Sequence, residues 1–305
     1  MSILDRRVVL VTGKGGVGKT TVSALIALRA ARAGKRVLLC ETSGATQVPN
    51  VFGARGRGYE AIEVAPRLWT LSITSEAAIE DYIVLQLRFR RLYKMVFRNR
   101  VVGPFIDAVP GLHDLIQLGK VFDLERQMVD GRPEWDLIVV DAPATGHGLT
   151  MLASPRAMME LTVTGPFHDN AHDVAKLYED PDRTAIVLVS LPEDMPLKET
   201  EELHARLGPL RGQVRGLVLN ELHPDPVPDP ALYRSLAPAL AESADAAGRE
   251  ALAMADSALL RAARQDAARA RLQALGPPVV GVPFLYRRDL GPTDLATLLP
   301  AVGAL

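Results

Sequence analysis

Residues 13–20 read GKGGVGKT, a glycine-rich loop of the form G-x-x-x-x-G-K-[S/T]. In such a loop the glycines let backbone N–H groups close around phosphate oxygens, a lysine neutralises charge and a hydroxyl holds Mg²⁺. The lysine and the hydroxyl here are Lys19 and Thr20. The sequence therefore predicts a nucleotide-phosphate loop with these contact residues: Gly13, Lys14, Gly15, Gly16, Val17, Gly18, Lys19, Thr20 and Thr21.

The loop has a suitable element on each side. Residues 8–11 form a short apolar run of the buried-strand type, and residues 21–33 carry apolar side chains at helical spacing before Gly34. A helix that follows the loop directs its free N–H groups and the positive end of its dipole at an anion. The pattern predicts strand, phosphate loop and helix in that order.

The composition is typical of a globular protein, and its net charge is too small to produce a strong electrostatic field around the molecule. The chain has 305 residues, is 48% hydrophobic, and carries 35 basic and 36 acidic side chains. A net charge of −1 does not favour nucleic acid as a partner. The single cysteine, Cys40, excludes an intramolecular disulfide and any site that needs several thiolates. Without a signal peptide or a long apolar segment, the expected location is the cytoplasm.

Apolar runs alternate with helical patterns along the rest of the chain. This alternation predicts an α/β fold with a mostly parallel sheet covered by helices on both faces. We expect 1–305 to form a single domain, with a helical insertion at about 75–132 and an alanine-rich helical hairpin at about 230–275. The further predicted strands are 36–41, 69–73, 137–141, 185–190, 216–220 and 279–284.

A second loop is predicted after the strand at 137–141. Residues 137–153 read LIVVDAPATGHGLTMLA, which is a buried strand, an aspartate at its end and a glycine-containing turn that opens a helix. Asp141 is placed to orient a Mg²⁺-bound water, although an aspartate there can also cap the helix. Gly146 would let a backbone N–H approach a terminal phosphate.

Two of these stretches resemble one class of ATPases. Lys14 makes the first loop similar to the deviant Walker A signature of the MinD, ParA and arsenite-pump (ArsA) group, although it can also be read as a solvated lysine. Residues 141–149, DAPATGHGL, resemble the D-T-A-P-T-G-H-T-L signature of the ArsA and tail-anchored-protein-targeting ATPases. Residues 110–114, PGLHD, resemble a run that these proteins carry upstream.

The resemblance implies a P-loop NTPase fold that binds ATP and Mg²⁺, with Thr20 and Asp141 at the metal. It also implies a dimer, homo- or heterodimeric, in which Lys14 reaches the nucleotide of the partner subunit. Asn220 stands where the family contacts adenine. Residues 282–285 resemble the loop that closes over the base, which adds Pro283 and Phe284 to the expected nucleotide contacts.

One position departs from the family. Ser43 stands where these ATPases have the aspartate that activates the attacking water, and a serine is a poor base. Glu41, two residues earlier on the same side of an extended strand, is a possible substitute. We therefore expect tight ATP binding with slow hydrolysis, and the catalytic candidates are Lys14, Lys19, Glu41, Ser43 and Gly146.

Residues 79–106 include a candidate partner surface. The part from 82 to 106 carries six basic residues, no acidic ones, and many apolar side chains. Such a helix suits an anionic membrane surface or an apolar protein client, and it equally suits ordinary packing on the sheet. The chain has no C-x-x-C pair for zinc and no cysteine cluster for arsenite. His168 and His172 are read as a polar surface face rather than a metal site.

Two functions remain in competition on this sequence. The first is a dimeric ATP-driven switch with slow hydrolysis that couples nucleotide state to a helical client surface. The second is a nucleotide-binding regulatory or scaffold subunit that pairs with an active relative; Ser43 is the residue that supports it. A DNA partitioner is disfavoured by the apolar residues within the basic stretch and by the net charge near zero.

Overall fold

The computed structural model describes residues 2–42, 47–87, 111–225 and 227–305. A sheet of eight strands forms its centre, and a separate two-stranded ribbon lies outside that sheet. In chain order the strands are β1 (Val8–Gly13), β2 (Val37–Glu41), β3 (Ile62–Ala65), β4 (Leu68–Ser72), β5 (Met128–Val129), β6 (Arg132–Pro133), β7 (Leu137–Ala144), β8 (Thr184–Ser190), β9 (Val214–Leu222) and β10 (Val279–Pro283).

The central sheet has the order β10-β9-β8-β1-β7-β2-β4-β3. Every neighbouring pair is parallel except β3 and β4, which are antiparallel. The predicted mostly parallel α/β sheet is thus confirmed. Strand β3 was not predicted, because none of its four residues is fully buried and it lies at the edge of the sheet.

Helices cover both faces of the sheet. Short 3₁₀ turns add to them at 3–5, 208–213 and 299–302. The α-helices are α1 (Lys19–Arg32), α2 (Gln47–Val51), α3 (Ser75–Leu87), α4 (Leu112–Arg126), α5 (Thr145–Leu161), α6 (Pro166–Glu179), α7 (Asp194–Arg206), α8 (Pro230–Ser243), α9 (Ala246–Gln273) and α10 (Pro292–Leu298).

Two hydrophobic cores follow from the alternation of side chains along the buried strands. In β1, Val8 and Leu10 point into the core shared with α4, α5, α6 and α7. Val9 and Val11 point into the other core, which is shared with α1 and the C-terminal residues of the chain. All four side chains are completely buried, as expected for a strand at the middle of a parallel sheet.

The carboxyl ends of the central strands meet at one edge of the sheet. Gly13 at the end of β1 lies beside Ala144 at the end of β7 and beside Val189 near the end of β8. The phosphate loop and the second loop therefore leave the sheet next to each other. This edge is where open α/β sheets bind their ligands.

Some predicted features lie outside the described residues. They are Ser43, Pro110 and most of the candidate partner surface at about 79–106. Of that surface the structure describes the side chains of residues 79–81 and the backbone as far as Leu87. The helical hairpin predicted at about 230–275 corresponds to α8 and α9. Within the described ranges, no helix combines the length and apolarity needed to cross a bilayer.

Candidate functional site

The predicted phosphate loop connects β1 to α1. Gly16 and Gly18 both have φ of +83°, a backbone conformation that favours glycine, and Gly18 directly precedes the first residue of the helix. A cavity of about 710 Å³ opens beside the loop. Its lining residues are Gly16, Gly18, Lys19, Thr20, Thr21, Gln47, Asn50, Val51, Asp141, Ala142, Arg288, Asp289 and Leu290.

Thr20 and Asp141, the two predicted metal ligands, are in direct contact. The Thr20 hydroxyl donates a 2.7 Å hydrogen bond to Oδ2 of Asp141. Ser23, one turn further along α1, donates a 3.1 Å bond to Oδ1 of the same carboxylate. Asp141 is only 4% exposed, so these hydroxyls replace much of the water that its charge would otherwise bind.

Burial dominates the electrostatics of this pair. It raises the pKa of Asp141 to about 6, against the opposing effect of the Thr20 and Ser23 hydrogen bonds. The neighbouring charge of Glu41 raises this pKa further, and that of Lys19 lowers it. Burial also lowers the pKa of Lys19, although the charge of Asp141 opposes that shift. The site therefore holds a carboxylate whose charge is costly without a cation nearby.

The donor set at this position fits Mg²⁺. Magnesium prefers hard oxygen ligands and usually takes only one or two carboxylates from the protein, with phosphate and water supplying the rest. Thr20 and Asp141 provide a hydroxyl and a carboxylate at the wall of a cavity large enough for a nucleotide. Among the described residues, no group of three or more His, Cys, Asp or Glu side chains is arranged to hold a metal ion on its own.

The two lysines of the loop are both engaged with protein groups. The Nζ atom of Lys19 donates a 3.0 Å hydrogen bond to the backbone carbonyl of Lys14. The Nζ atom of Lys14 lies 2.8 Å from Oε1 of Glu199, on helix α7. Lys19 lines the cavity of about 710 Å³ together with Thr20.

The second loop runs directly into helix α5. The helix begins at Thr145, and Gly146 lies exposed in its first turn. Ala144, which precedes the helix, provides no side-chain cap. The free N–H groups of this first turn, next to the phosphate loop, are therefore available to an anion.

Glu41, the predicted substitute base, is buried at the carboxyl end of β2 and only 1% exposed. Its Oε1 accepts a 3.0 Å hydrogen bond from the backbone N–H of Gln47, at the start of α2. Gln47 lines the cavity of about 710 Å³, so Glu41 fixes one edge of its wall. The segment between these two residues, which contains Ser43, is outside the described residues.

Asn220, Pro283 and Phe284 lie at the ends of β9 and β10. Asn220 is buried, and its side-chain amide donates a 2.9 Å bond to the carbonyl of Val17 in the phosphate loop. The ring of Phe284 packs 4.6 Å from that of His223 and 4.9 Å from that of Tyr286. These aromatic residues form a wall beyond Asn220 where a flat base could stack.

The structure also brings residues to the site that the sequence analysis did not single out. Ser23 could have been found, because it lies three residues after Thr20 on the same face of α1. Gln117 gave no such signal; its amide donates 3.2 Å bonds to the carbonyls of Thr42 and Ile73 and so braces the end of β2. Glu199 and residues 288–290 are distant in sequence and carry no motif.

Comparison with known proteins identifies relatives. A sequence profile of the anion-transporting ATPase family matches residues 6–165 and 163–236. ATPase BagA of Mycobacterium tuberculosis is 32% identical over 220 residues, which cover 70% of this chain and 64% of that protein. An arsenical pump-driving ATPase of Escherichia coli is 30% identical over 231 residues, which cover 70% of this chain and 39% of that protein.

A eukaryotic protein also matches. ATPase GET3 of Komagataella phaffii is 25% identical over 251 residues, which cover 70% of this chain and 72% of that protein. The match spans somewhat less than two thirds of the length of the mycobacterial relatives. These relatives are all named as ATPases, and only the name of the Escherichia coli protein states a process, the driving of an arsenical pump.

Proposed function

The chain belongs to the anion-transporting ATPase (ArsA) family, and on that premise we propose that it is an ATP-binding molecular switch with slow Mg²⁺-dependent hydrolysis. The observation that carries this proposal is the contact between Thr20 and Asp141 at the wall of a nucleotide-sized cavity that Lys19 also lines. These three groups are the ones that a phosphate loop needs for a metal-bound triphosphate.

The residues of this chain have separable tasks in that function. Lys19 supplies a positive charge to the phosphates, and the first turns of α1 and α5 offer backbone N–H groups from two sides. Thr20 and Asp141 would hold Mg²⁺, which neutralises phosphate charge when bound. Because the pKa of Asp141 is about 6, its carboxylate is ionised and ready for the metal at neutral pH.

We propose slow turnover because Ser43 stands where the family has the aspartate that activates the attacking water. A serine hydroxyl can hydrogen-bond a water but cannot accept its proton efficiently, so the attacking water loses both orientation and activation. Glu41 is the nearest carboxylate in the sequence before it, and its contact with the N–H of Gln47 holds it at the edge of the cavity. We assign Glu41 a partial compensating role.

The switch would act as a dimer and would serve a protein client or a membrane surface rather than arsenite. The family resemblance of Lys14 supports a dimer, and the basic apolar residues within 79–106 support a helical client surface. Arsenite is disfavoured because burial raises the pKa of Cys40, the single cysteine, to about 12, so that its thiol stays protonated and enclosed.

Purified protein tests the proposal directly. Binding of a fluorescent ATP analogue, steady-state ATP turnover and sedimentation velocity are measured with and without Mg²⁺. We expect tight Mg²⁺-dependent binding, low turnover and a dimer population that grows with ATP. Lys19→Ala should lose binding, whereas Lys176→Ala, at an exposed position on α6, should not. Absence of ATP binding by the unmodified protein would refute the function.

The regulatory-subunit alternative is supported by one observation, the serine at position 43. In that case the protein would bind ATP without measurable turnover and would be isolated with a second, active ATPase of the family. Co-expression with a family member that has the aspartate discriminates the two functions. A stable mixed dimer with turnover only in the partner's site favours the alternative, and an active homodimer argues against it.

A further inference from the structure

The ion pair between Lys14 and Glu199 joins the phosphate loop to a helix that no sequence motif connects with it. The two charged atoms are 2.8 Å apart, and the side chains are 29% and 31% exposed. Water therefore has limited access to the pair, and the attraction is stronger than at a fully solvated surface. The contact fixes the side chain of a lysine that would otherwise be free to move.

Helix α7, which carries Glu199, is in a position to respond to both loops of the site. It packs against β1, which leads into the phosphate loop, and against α5, which follows the second loop. Glu199 helps to line a cavity of about 390 Å³ together with Gly146 and Thr150, both in the first turns of α5. A change in the position of the second loop would therefore be transmitted to the Lys14 contact.

The ion pair directs Lys14 away from the phosphates. Lys19 lines the cavity of about 710 Å³, whereas Lys14 is absent from that lining among the described residues. Its partner Glu199 borders the separate cavity at the start of α5. In this arrangement the charge of Lys14 is directed towards α7 instead of a nucleotide.

We propose that Glu199 is a positioning residue that holds Lys14 on its own subunit until nucleotide is bound, so that release of this ion pair is a step in forming the active state. This inference rests on the proposed ATP-dependent function. A triphosphate carries several negative charges and competes with a single carboxylate for the lysine. Glu199 therefore opposes assembly in the absence of nucleotide.

Zero-length cross-linking tests the contact itself. A carbodiimide joins an amine and a carboxylate only when they are in direct contact, and mass spectrometry of the digest identifies the joined peptides. We expect a Lys14–Glu199 cross-link within one subunit without nucleotide, and its loss with saturating Mg-ATP. The pair Lys176–Asp173, at 3.8 Å on helix α6 and away from both loops and the helical insertion, is the control and should cross-link equally in both states. Absence of the Lys14–Glu199 product, or a yield that Mg-ATP leaves unchanged, overturns the inference.

Substitutions test the consequence. Glu199→Gln keeps the size of the side chain and removes its charge, and Glu199→Asp keeps the charge with a shorter reach. We expect Glu199→Gln to lower the ATP concentration needed for half-maximal assembly by about two- to fivefold, which is what the usual strength of a partly exposed ion pair converts to. Glu199→Asp should fall in between. Glu202→Gln, one turn along and bordering the same cavity, should have no effect.

The Lys14→Ala background separates positioning from simple stability. If Glu199 acts through Lys14, Glu199→Gln no longer changes the ATP concentration for half-maximal assembly when Lys14 is alanine. The reason is that the alanine has already removed the interaction between the two side chains. An equal effect in both backgrounds contradicts the inference. If the unmodified protein binds and turns over ATP but Glu199→Gln leaves its assembly unchanged, only this inference is rejected. If the unmodified protein does not bind ATP, the proposed function is rejected.

Discussion

The side-chain amide of Asn220 donates a 2.9 Å hydrogen bond to the carbonyl oxygen of Val17, across 203 positions of the chain. The amide is buried, and its nitrogen lies 2.1 Å from the position that a Cβ atom at residue 18 would take. This single contact ties strand β9 to the phosphate loop. The loop is therefore shaped from outside as well as by its own glycines.

We predict that Asn220→Asp weakens ATP binding and destabilises the protein by about 1–3 kcal/mol. The carboxylate keeps the size of the side chain but offers no donor to the Val17 carbonyl, which is left without this partner. Chemical denaturation and titration with a fluorescent ATP analogue measure the two effects. Asn170→Asp, on helix α6 away from the loop, is the control. Unchanged binding and stability in Asn220→Asp would show that the contact is dispensable.

We predict that Gly18→Ala destabilises the nucleotide-free protein more than Gly16→Ala does. Both glycines have φ of +83°, so each substitution carries a backbone strain of about 1 kcal/mol. A Cβ at position 18 would lie 2.1 Å from the Asn220 amide nitrogen, whereas a Cβ at position 16 meets nothing within 4 Å. The difference between the urea midpoints of Gly18→Ala and Gly16→Ala measures the cost of the steric conflict with the Asn220 amide.

The double variant Gly18→Ala/Asn220→Ala completes that experiment. Removing the amide makes room for the new methyl group, so we expect the two substitutions together to cost less than the sum of the single costs. Strictly additive losses would mean that the loop avoids the conflict by moving as a whole.

Much of the fold could be predicted because its strands are buried on both faces. Each apolar run read from the sequence, such as 185–190 and 216–220, corresponds to an observed parallel strand. Strand β3 could not be read, because a half-exposed edge strand lacks a continuous apolar run. The order of strands in the sheet depends on packing between distant segments, which no local pattern encodes.

Part of the candidate site could likewise be predicted from the sequence, and part of it could not. Thr20 and Asp141 each belong to a local motif, and the structure brings them within 2.7 Å as two predicted ligands of one metal. Their roles in catalysis remain predictions. Glu199 lies in an ordinary amphipathic helix, and nothing near it in the sequence indicates a contact with Lys14. Contacts of this kind are set by tertiary packing alone.

We predict that Asp141→Asn stabilises the nucleotide-free, metal-free protein at neutral pH and abolishes Mg²⁺-dependent ATP turnover. Burial raises the pKa of Asp141 from its usual 3.8 to about 6, so ionising it in the folded state costs about 3 kcal/mol. Asparagine removes that cost, but its amide nitrogen cannot accept a hydrogen bond, so one of the two hydroxyls of Thr20 and Ser23 loses its acceptor. The expected net gain is about 1–2 kcal/mol.

The sign of the pH dependence makes this prediction specific. A carboxyl with a raised pKa in the folded state binds its proton more tightly there than in the unfolded chain. The loss of folding free energy caused by ionising Asp141 is absent below about pH 4, grows as the pH rises to about 6 and is constant above that. The stabilisation by Asp141→Asn should therefore shrink on going from pH 7.5 towards pH 4. Asp173→Asn, at an exposed position, should show no such trend. An advantage of Asp141→Asn that grows at low pH would contradict the assignment.

We predict that Ser43→Asp increases ATP turnover by about 10- to 100-fold with little change in ATP affinity, since a carboxylate can orient the attacking water and take its proton. Ser43→Asn, which has the shape of the aspartate without its charge, is the matched control and should stay as slow as the unmodified protein.

Glu41→Gln tests the compensating role of the neighbouring carboxylate. It should lower the residual turnover of the unmodified protein but have little effect in the Ser43→Asp background. The structure should be preserved in both, because the amide oxygen of the new glutamine can still accept the bond from the N–H of Gln47. Steady-state kinetics on the unmodified protein and these variants measure this. Fast turnover in the unmodified protein, unaffected by Glu41→Gln, would mean that the water is activated by a group other than these two.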